Sequence, residues 1–398
     1  MNDPIQRCKV LTAGVLNLIL VMGIARFAYT PLLPAMQEHT DLGAADGGWL
    51  AAINYLGYLV GAVVASVISD LELKDRLYRI GLVVAVITTA GMGLTENLWL
   101  WSILRFLAGL SCAAGMLIGS GLVLNWLIRH NHRSELGIQF SGVGLGMVVC
   151  AVAVELMNTW LDWRQQWLVL TVIGGAMLVP AWAWLPRPES ATVNTSGRSM
   201  KDSPPGKAFM GLLTAAYFCA GVGFVVSATF IVAIVDELPG LEGKGVWAFM
   251  VMGLAAAPSA ILWDLIARRI GNLNALIIAS LLQAVGILLP VIEPSILLTM
   301  LGAILFGGTF VGIVCLVLTM AGRFYPSQPA RFMGKMTIAY GIAQIVAPMI
   351  TGLLREYNGD YSVGLYAAAA AMIVGSALML IAKTREVSEK PTPGFVNQ

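Results

Sequence analysis

Apolar residues dominate the chain in long blocks, and the polar residues between them are short and clustered. A membrane span needs about 20 largely apolar residues. That length picks out twelve runs: Val10–Met36, Trp49–Ser69, Leu77–Leu94, Leu98–Ile128, Ser134–Asn158, Trp167–Leu185, Ala208–Val235, Val246–Ile266, Asn274–Val291, Ser295–Ala321, Gly334–Leu354 and Tyr361–Ala382. In lipid a segment must satisfy its own backbone hydrogen bonds, so each is predicted to be a helix, and the longer ones tilt or extend into water. One long polar stretch interrupts the series. Pro186–Lys207 is rich in Pro, Ser, Gly and charge and shows no apolar periodicity. The expected organisation is a six-helix half over residues 1–185, a linker over 186–207, a second six-helix half over 208–385 and a polar tail over 386–398. The fold class expected is an all-α polytopic membrane protein. Met1–Lys9 is short and polar and leads into the first run without a small-residue cleavage site, so that run is read as a retained span.

Composition agrees with this pattern. Hydrophobic residues make up 58% of the chain, charged residues 12%, and the mean hydropathy is +0.80, whereas a soluble domain is about one quarter charged. A net charge of +2 gives no reason to expect nucleic acid as a partner. The cysteines Cys8, Cys112, Cys150, Cys219 and Cys315 are too scattered for a disulfide framework or metal site. No cofactor or metal is expected. The histidines (His39, His130, His132) fall in loops, no acidic pair sits within a span, and nothing resembles a nucleotide-binding loop. Those features argue against an enzyme and against an ATP-driven pump.

Lysine and arginine assign sidedness. If the N-terminus is cytoplasmic, 19 of the 24 fall on the cytoplasmic side and only Arg164, Lys244 and Arg355 on the other. That bias is a strong positive-inside signal. It supports an even number of spans, both termini inside and a bacterial inner-membrane location. The two arginines left over, Arg26 and Arg105, lie within apolar runs, where each costs about 2.5–3.5 kcal/mol on insertion scales. At a rise of about 1.5 Å per residue, Arg26 is about 25 Å from the inner surface and Arg105 about 10 Å from the outer one. Both therefore fall in the outer half of the membrane.

The halves echo each other. Basic turns after the fourth and tenth spans (Arg129–Arg133, Arg323–Lys335) lead into glycine-punctuated runs, with Gly137, Gly142, Gly144 and Gly146 in one and Gly334, Gly341 and Gly352 in the other. A repeat of six plus six is an architecture of secondary transporters, with the substrate site at the midplane. Three stretches add a resemblance. The first is Gly23-Ile24-Ala25-Arg26-Phe27-Ala28-Tyr29-Thr30-Pro31-Leu32-Leu33-Pro34, and the second is Arg105-Phe106-Leu107-Ala108-Gly109. The third is a degraded form of the loop motif Gly-x-x-x-Asp-Arg-x-Gly-Arg-Arg. Its second copy keeps Asp264, Arg268, Arg269 and Gly271 but has Ala260, Leu265 and Ala267 elsewhere. Its first copy fits in two registers, one on Asp70 and one on Asp75 and Arg76. The chain thus resembles the major facilitator superfamily over about residues 10–385, and the first stretch is similar to its YbfB-like branch, a bacterial group.

The resemblance implies the major facilitator fold, with the first, fourth, seventh and tenth spans lining a central cavity. It also implies a cytoplasmic latch built from Asp70 or Asp75 with Arg76, Asp264, Arg268 and Arg269. The competing reading of those charges is ordinary helix ends. The glycines of the fifth span lack the proline that many exporters carry, which favours close helix packing and weakens the case for an antiporter. Arg26 would then face a polar or anionic solute, or snorkel to the outer interface. Arg105 would contact the solute, or bond to neighbouring backbone and fix the packing of its half. Asn17, Tyr29, Tyr217, Ser227 and Thr229 are further candidate contacts, as are Asn125, Thr309 and Thr319. Asn54, Tyr55 and Tyr58 are at least as well suited to packing. Glu155 is the one candidate for proton coupling, although it stands 21 residues into its run, near the outer surface.

The function expected is a secondary active transporter that moves a small solute by alternating access, with proton-coupled efflux of a metabolite or xenobiotic as the leading form. The alternatives are a solute sensor without net transport and an importer or symporter of an organic anion. The expected partners are the lipid bilayer, a small solute of anionic character and protons, and the chain is expected to act as a monomer.

Overall fold

All twelve expected spans are helices in the computed structural model, which describes residues 4–68, 70–130, 136–188, 205–293, 295–324 and 329–389. They are α1 (Ile5–His39), α2 (Ala44–Val67), α3 (Leu71–Leu94), α4 (Leu98–Leu127), α5 (Leu136–Met157) and α6 (Trp163–Ala183), then α7 (Lys207–Asp236), α8 (Gly245–Ile270), α9 (Asn272–Ile292), α10 (Ile296–Ala321), α11 (Met336–Asn358) and α12 (Ser362–Thr384). There is no strand among the described residues. The expected linker between 189 and 204, and the tail from residue 390, lie outside the described residues. Outward-facing apolar side chains such as Val64, Ile87, Ile103, Val172, Ile278 and Leu297 give the bundle the surface that a bilayer requires.

Several helices begin before their apolar runs because polar residues cap them. The Asp70 carboxylate accepts from the Glu72 backbone N–H at 2.9 Å, which starts α3 six residues ahead of Leu77. Asp162 and Gln165 form a reciprocal capping box that starts α6 four residues ahead of Trp167, whereas Asn97 caps α4 at the first residue of its run. Arg79, the third residue of the Leu77–Leu94 run, stands one helical turn from Asp75, which lies in the extension of α3. It is buried, pairs with Asp75 through Nε (2.9 Å) and Nη2 (3.0 Å), and donates to the carbonyls of Trp182 (2.7 Å) and Leu185 (3.1 Å). Tyr78 donates to Ala181 O beside it. These bonds occupy carbonyls that the end of α6 would otherwise leave bare.

Two helices depart from regular winding. Residues Ile19–Phe27 of α1 and Ala114–Gly119 of α4 are π-helical. Asn17 ties the two together, its amide donating to Gly115 O at 2.9 Å.

The halves, α1–α6 and α7–α12, meet along two antiparallel helix pairs. In α2 and α11, Ala45 N–H donates to Glu356 Oε1 at 3.0 Å, Gly48 packs on Pro348, and Leu59 packs on Gly341. In α5 and α8, Gly137 faces Ile261, Gly144 faces Gly253, and Trp247 Nε1 donates to Glu155 Oε1 at 3.0 Å. A Cβ on Gly144 would stand 2.6 Å from Gly253 O, so this crossing depends on the missing side chain.

This packing can be tested by substitution. Gly144→Ala overpacks the α5–α8 crossing and should cost about 1–3 kcal/mol, read as a lowered thermal midpoint in detergent. Gly121→Ala, whose Cβ meets nothing within 4 Å, should leave the midpoint unchanged. Arg79→Ala strands the buried Asp75 carboxylate and should cost about 3–5 kcal/mol. Arg268→Ala breaks the exposed i,i+4 pair with Asp264 and should cost at most about 1 kcal/mol. Equal midpoints for the last two variants would contradict the structural role given to Arg79.

Candidate functional site

The site begins with the break in α1. Ala28 N–H reaches back five residues to Gly23 O at 2.9 Å, so the local winding is wider than α. In that register the carbonyl of Arg26 looks to residue 31, which is Pro31 and has no N–H to offer. Arg105 supplies donors instead. Its Nη1 donates to Ala25 O (3.3 Å) and Arg26 O (3.4 Å), and its Nε to Leu50 O of α2 (3.4 Å). Its guanidinium also lies 4.4 Å from the centre of the Tyr29 ring, and the Tyr29 hydroxyl donates to Gly47 O at 3.0 Å. The residue four positions on from Arg105 is Gly109, and a Cβ there would fall on the Asn54 carbonyl. Asn54 in turn donates to Arg105 O at 2.9 Å. The Arg-x-x-x-Gly spacing thus lets α2 and α4 meet while one arginine holds three carbonyls across α1 and α2.

Arg26 is arranged differently. Its guanidinium stands over the rings of Tyr55 (4.3 Å), Tyr58 (5.3 Å) and Phe27 (5.4 Å). Its Nη1 lies 3.9 Å from the Met22 thioether, and its Nε has no acceptor. The residue is 5% exposed, and among the described residues no salt bridge involves it. Each ring returns about 0.5–2 kcal/mol of cation–π attraction, less than a hydrogen-bonded counter-ion would. The rest of the cluster comes from the second half. Tyr217 of α7 stacks on Tyr340 of α11 with centroids 4.5 Å apart, and Phe224 lies 6.0 Å from Tyr340 and 5.1 Å from Phe310. Tyr340 lies within electrostatic range of Arg26, Tyr55 and Tyr58, and Tyr217 within range of Tyr58. Two hydrogen bonds join the halves beside the cluster. Thr30 Oγ1 donates to Ala228 O at 3.0 Å, and the hydroxyls of Tyr55 and Thr229 are 3.3 Å apart.

The candidates named from sequence therefore divide. Arg26, Tyr217 and Thr229 belong to one neighbourhood, together with Tyr55 and Tyr58. Arg105 and Tyr29 are engaged by backbone next to it, and Asn17 by Gly115 O deeper in the first half. Ser227 turns into the second half, where it lines a small crevice with Ile231, Ile287, Pro290 and Phe306. Thr309 bonds back to its own helix at Leu305 O and Phe306 O. Glu155 accepts from Trp247 on the face opposite the termini. Among the loop-motif charges, Asp70 caps α3, Asp75 pairs within α3, and Asp264 pairs with Arg268 within α8. Arg76 and Arg269 are exposed. Tyr340, Phe224 and Phe310 were not singled out by sequence. The clue available was an aromatic at mid-span in α7, α10 and α11, which apolar packing explains equally well.

The fold is similar to that of a point mutant of the nucleoside transporter NupG, with a TM-score of 0.67 over 95% of this chain and 99% of that one, at 13% sequence identity. Over 389 residues the chain is 22% identical to the gentisate transporter of Corynebacterium glutamicum, covering 92% of this chain and 87% of that protein. It is 25% identical over 168 residues to the uncharacterised transporter YcaD of Escherichia fergusonii, covering 41% of this chain and 43% of that protein. The family model described as "Uncharacterised MFS-type transporter YbfB" matches residues 18–380. The chain is a membrane transporter, not an enzyme, and belongs to the YbfB-like family of the major facilitator superfamily.

Proposed function

We propose that the chain is a secondary carrier of an aromatic carboxylate, working by alternating access in the bacterial inner membrane with both termini cytoplasmic. The observation that carries this reading is Arg26, a buried cation without a carboxylate partner, set against tyrosines from both halves. A carboxylate on Arg26 would gain charge-assisted hydrogen bonds, roughly twice as strong as neutral ones. An aromatic ring attached to it would find Tyr55, Tyr58, Tyr217 and Tyr340 as stacking partners. The gentisate transporter, whose named substrate is such an acid, is similar to nearly the whole chain. A fixed, uncompensated positive charge disfavours the cationic amphiphiles typical of xenobiotic efflux, so the organic-anion form is preferred here. The distribution of lysine and arginine supports the orientation. One chain supplies both walls of the site, which supports action as a monomer.

Alternating access requires that the two walls separate and re-form. Tyr55 belongs to both events, since its face meets Arg26 and its hydroxyl meets Thr229 across the halves.

Three variants test the reading with gentisate as the probe. Arg26→Gln should weaken binding by about 10- to 100-fold, the loss of one charge-assisted contact of about 1.5–3 kcal/mol. Met22→Glu places a carboxylate where the thioether meets Arg26, and should weaken gentisate binding by a comparable factor while Met22→Gln retains it. Tyr55→Phe keeps the ring and loses the bond to Thr229, so it should alter transport rate more than affinity. Calorimetry on purified protein and uptake into proteoliposomes measure the two quantities. Undiminished gentisate binding by both Arg26→Gln and Met22→Glu would sink the proposed role of Arg26.

A further inference from the structure

We infer that this carrier is an anion exchanger, in which the halves pass between their access states only with an anion seated on Arg26. The inference rests on the reading of Arg26 as the anion site and adds the coupling of transport to it.

Closure brings the two halves together around a cation. The contacts Thr30–Ala228 and Tyr55–Thr229 join the halves beside Arg26, and Arg26 itself is 5% exposed. In an empty carrier its guanidinium would meet ring faces, a thioether and the neutral Tyr55 phenol during closure, and no carboxylate among the described residues. Aromatic faces recover part of the lost hydration. A carboxylate recovers more, and turns a lone buried charge into a neutral pair. The empty carrier therefore crosses a higher barrier than the loaded one.

Proton coupling would need a different inventory. A group that exchanges protons near neutral pH is an Asp or Glu with a raised pKa, or a His. Every Asp and Glu of the chain lies outside the spans or within six residues of a helix end, Asp264 being the deepest. Glu155 is two residues from the end of α5, and its Oε1 is bonded to Trp247. His39 ends α1, and His130 and His132 lie beyond α4. Tyrosines and cysteines, the other titratable groups around Arg26, ordinarily hold their protons at neutral pH. Among the described residues none beside Arg26 is equipped to replace the anion's charge on the return step. A second anion does so directly: one anion enters, one leaves, and net charge movement is zero for anions of equal charge.

The test uses the purified full-length chain in proteoliposomes, with labelled gentisate outside. One set of vesicles contains unlabelled gentisate and the other buffer alone, each with and without an imposed proton gradient. Uptake into gentisate-loaded vesicles is expected to exceed uptake into buffer-filled vesicles by at least about tenfold, the ratio that a barrier difference of about 1.4 kcal/mol gives. It is also expected to ignore both the proton gradient and an imposed potassium diffusion potential. Equal uptake into buffer-filled vesicles under a proton gradient would overturn exchange and leave the anion site standing. Gentisate binding by calorimetry without uptake in either set would also overturn it, and would favour a sensor. Absence of both binding and uptake would overturn the aromatic-carboxylate reading, and exchange with it.

Discussion

A guanidinium at membrane depth must be given hydrogen-bond acceptors or an opposite charge, and much of the first half is arranged around that requirement. Pro31 withdraws an N–H from α1 at the point where the helix has already widened into π winding. In that register Pro31 has no N–H to offer the carbonyl of Arg26, which stands next to that of Ala25. Arg105 takes both, along with Leu50 O. An unpaired carbonyl and a costly cation would each be unfavourable alone, and here each satisfies the other. Gly109 makes the arrangement possible by letting α2 come close enough for Leu50 and Asn54 to take part.

Once Arg105 is held in this way, Arg26 is left with no backbone carbonyl and no carboxylate as partner among the hydrogen bonds and ion pairs of the described residues. Its neighbours are ring faces and sulfur, which are soft partners that a ligand can displace without leaving a buried acceptor unpaired. That is the energetic difference between a structural arginine and one suited to binding. The break in α1 serves both, because the same local unwinding that exposes carbonyls to Arg105 turns Arg26 towards Tyr55 and Tyr58. The rest of the aromatic cluster arrives from α7 and α11, so the neighbourhood exists only when the halves are together.

The spans were legible because twelve long apolar runs leave a helical chain few alternatives in lipid, and the clustering of lysine and arginine fixes which loops share a face. The helix ends were less legible. Asp70 and Asp162 extend α3 and α6 through side-chain caps, and a hydropathy reading does not weigh a cap. The extension of α3 brings Asp75 into the helix, where it pairs with Arg79, itself buried against the end of α6. Arg26 and Arg105 stood out equally as charges in apolar runs. The motifs already set them apart, with Arg105 in the superfamily-wide stretch and Arg26 in the more specific one. The physical reason lies in where backbone carbonyls fall, and that depends on a π segment that leaves no compositional trace. Tyr340 escaped notice because an aromatic in an apolar run carries no cost that would mark it.

Tyr55 shows how occupancy of such a site can reach the interface between the halves. Its ring is one of the soft partners of Arg26, and its hydroxyl is bonded to Thr229 in the other half. An anion that draws the guanidinium off the ring changes the environment of the residue that bridges the halves. A ligand shifts a two-state equilibrium only by its differential affinity for the two states. On the proposed reading the differential has a physical source, since an anion would meet Arg26 and the first-half rings in an open site and the second-half rings as well in a closed one. The closed state thus gains stacking partners at the same moment that it shields the charge. On that reading anion binding would favour closure, and closure without an anion would bury a cation that lacks a carboxylate partner.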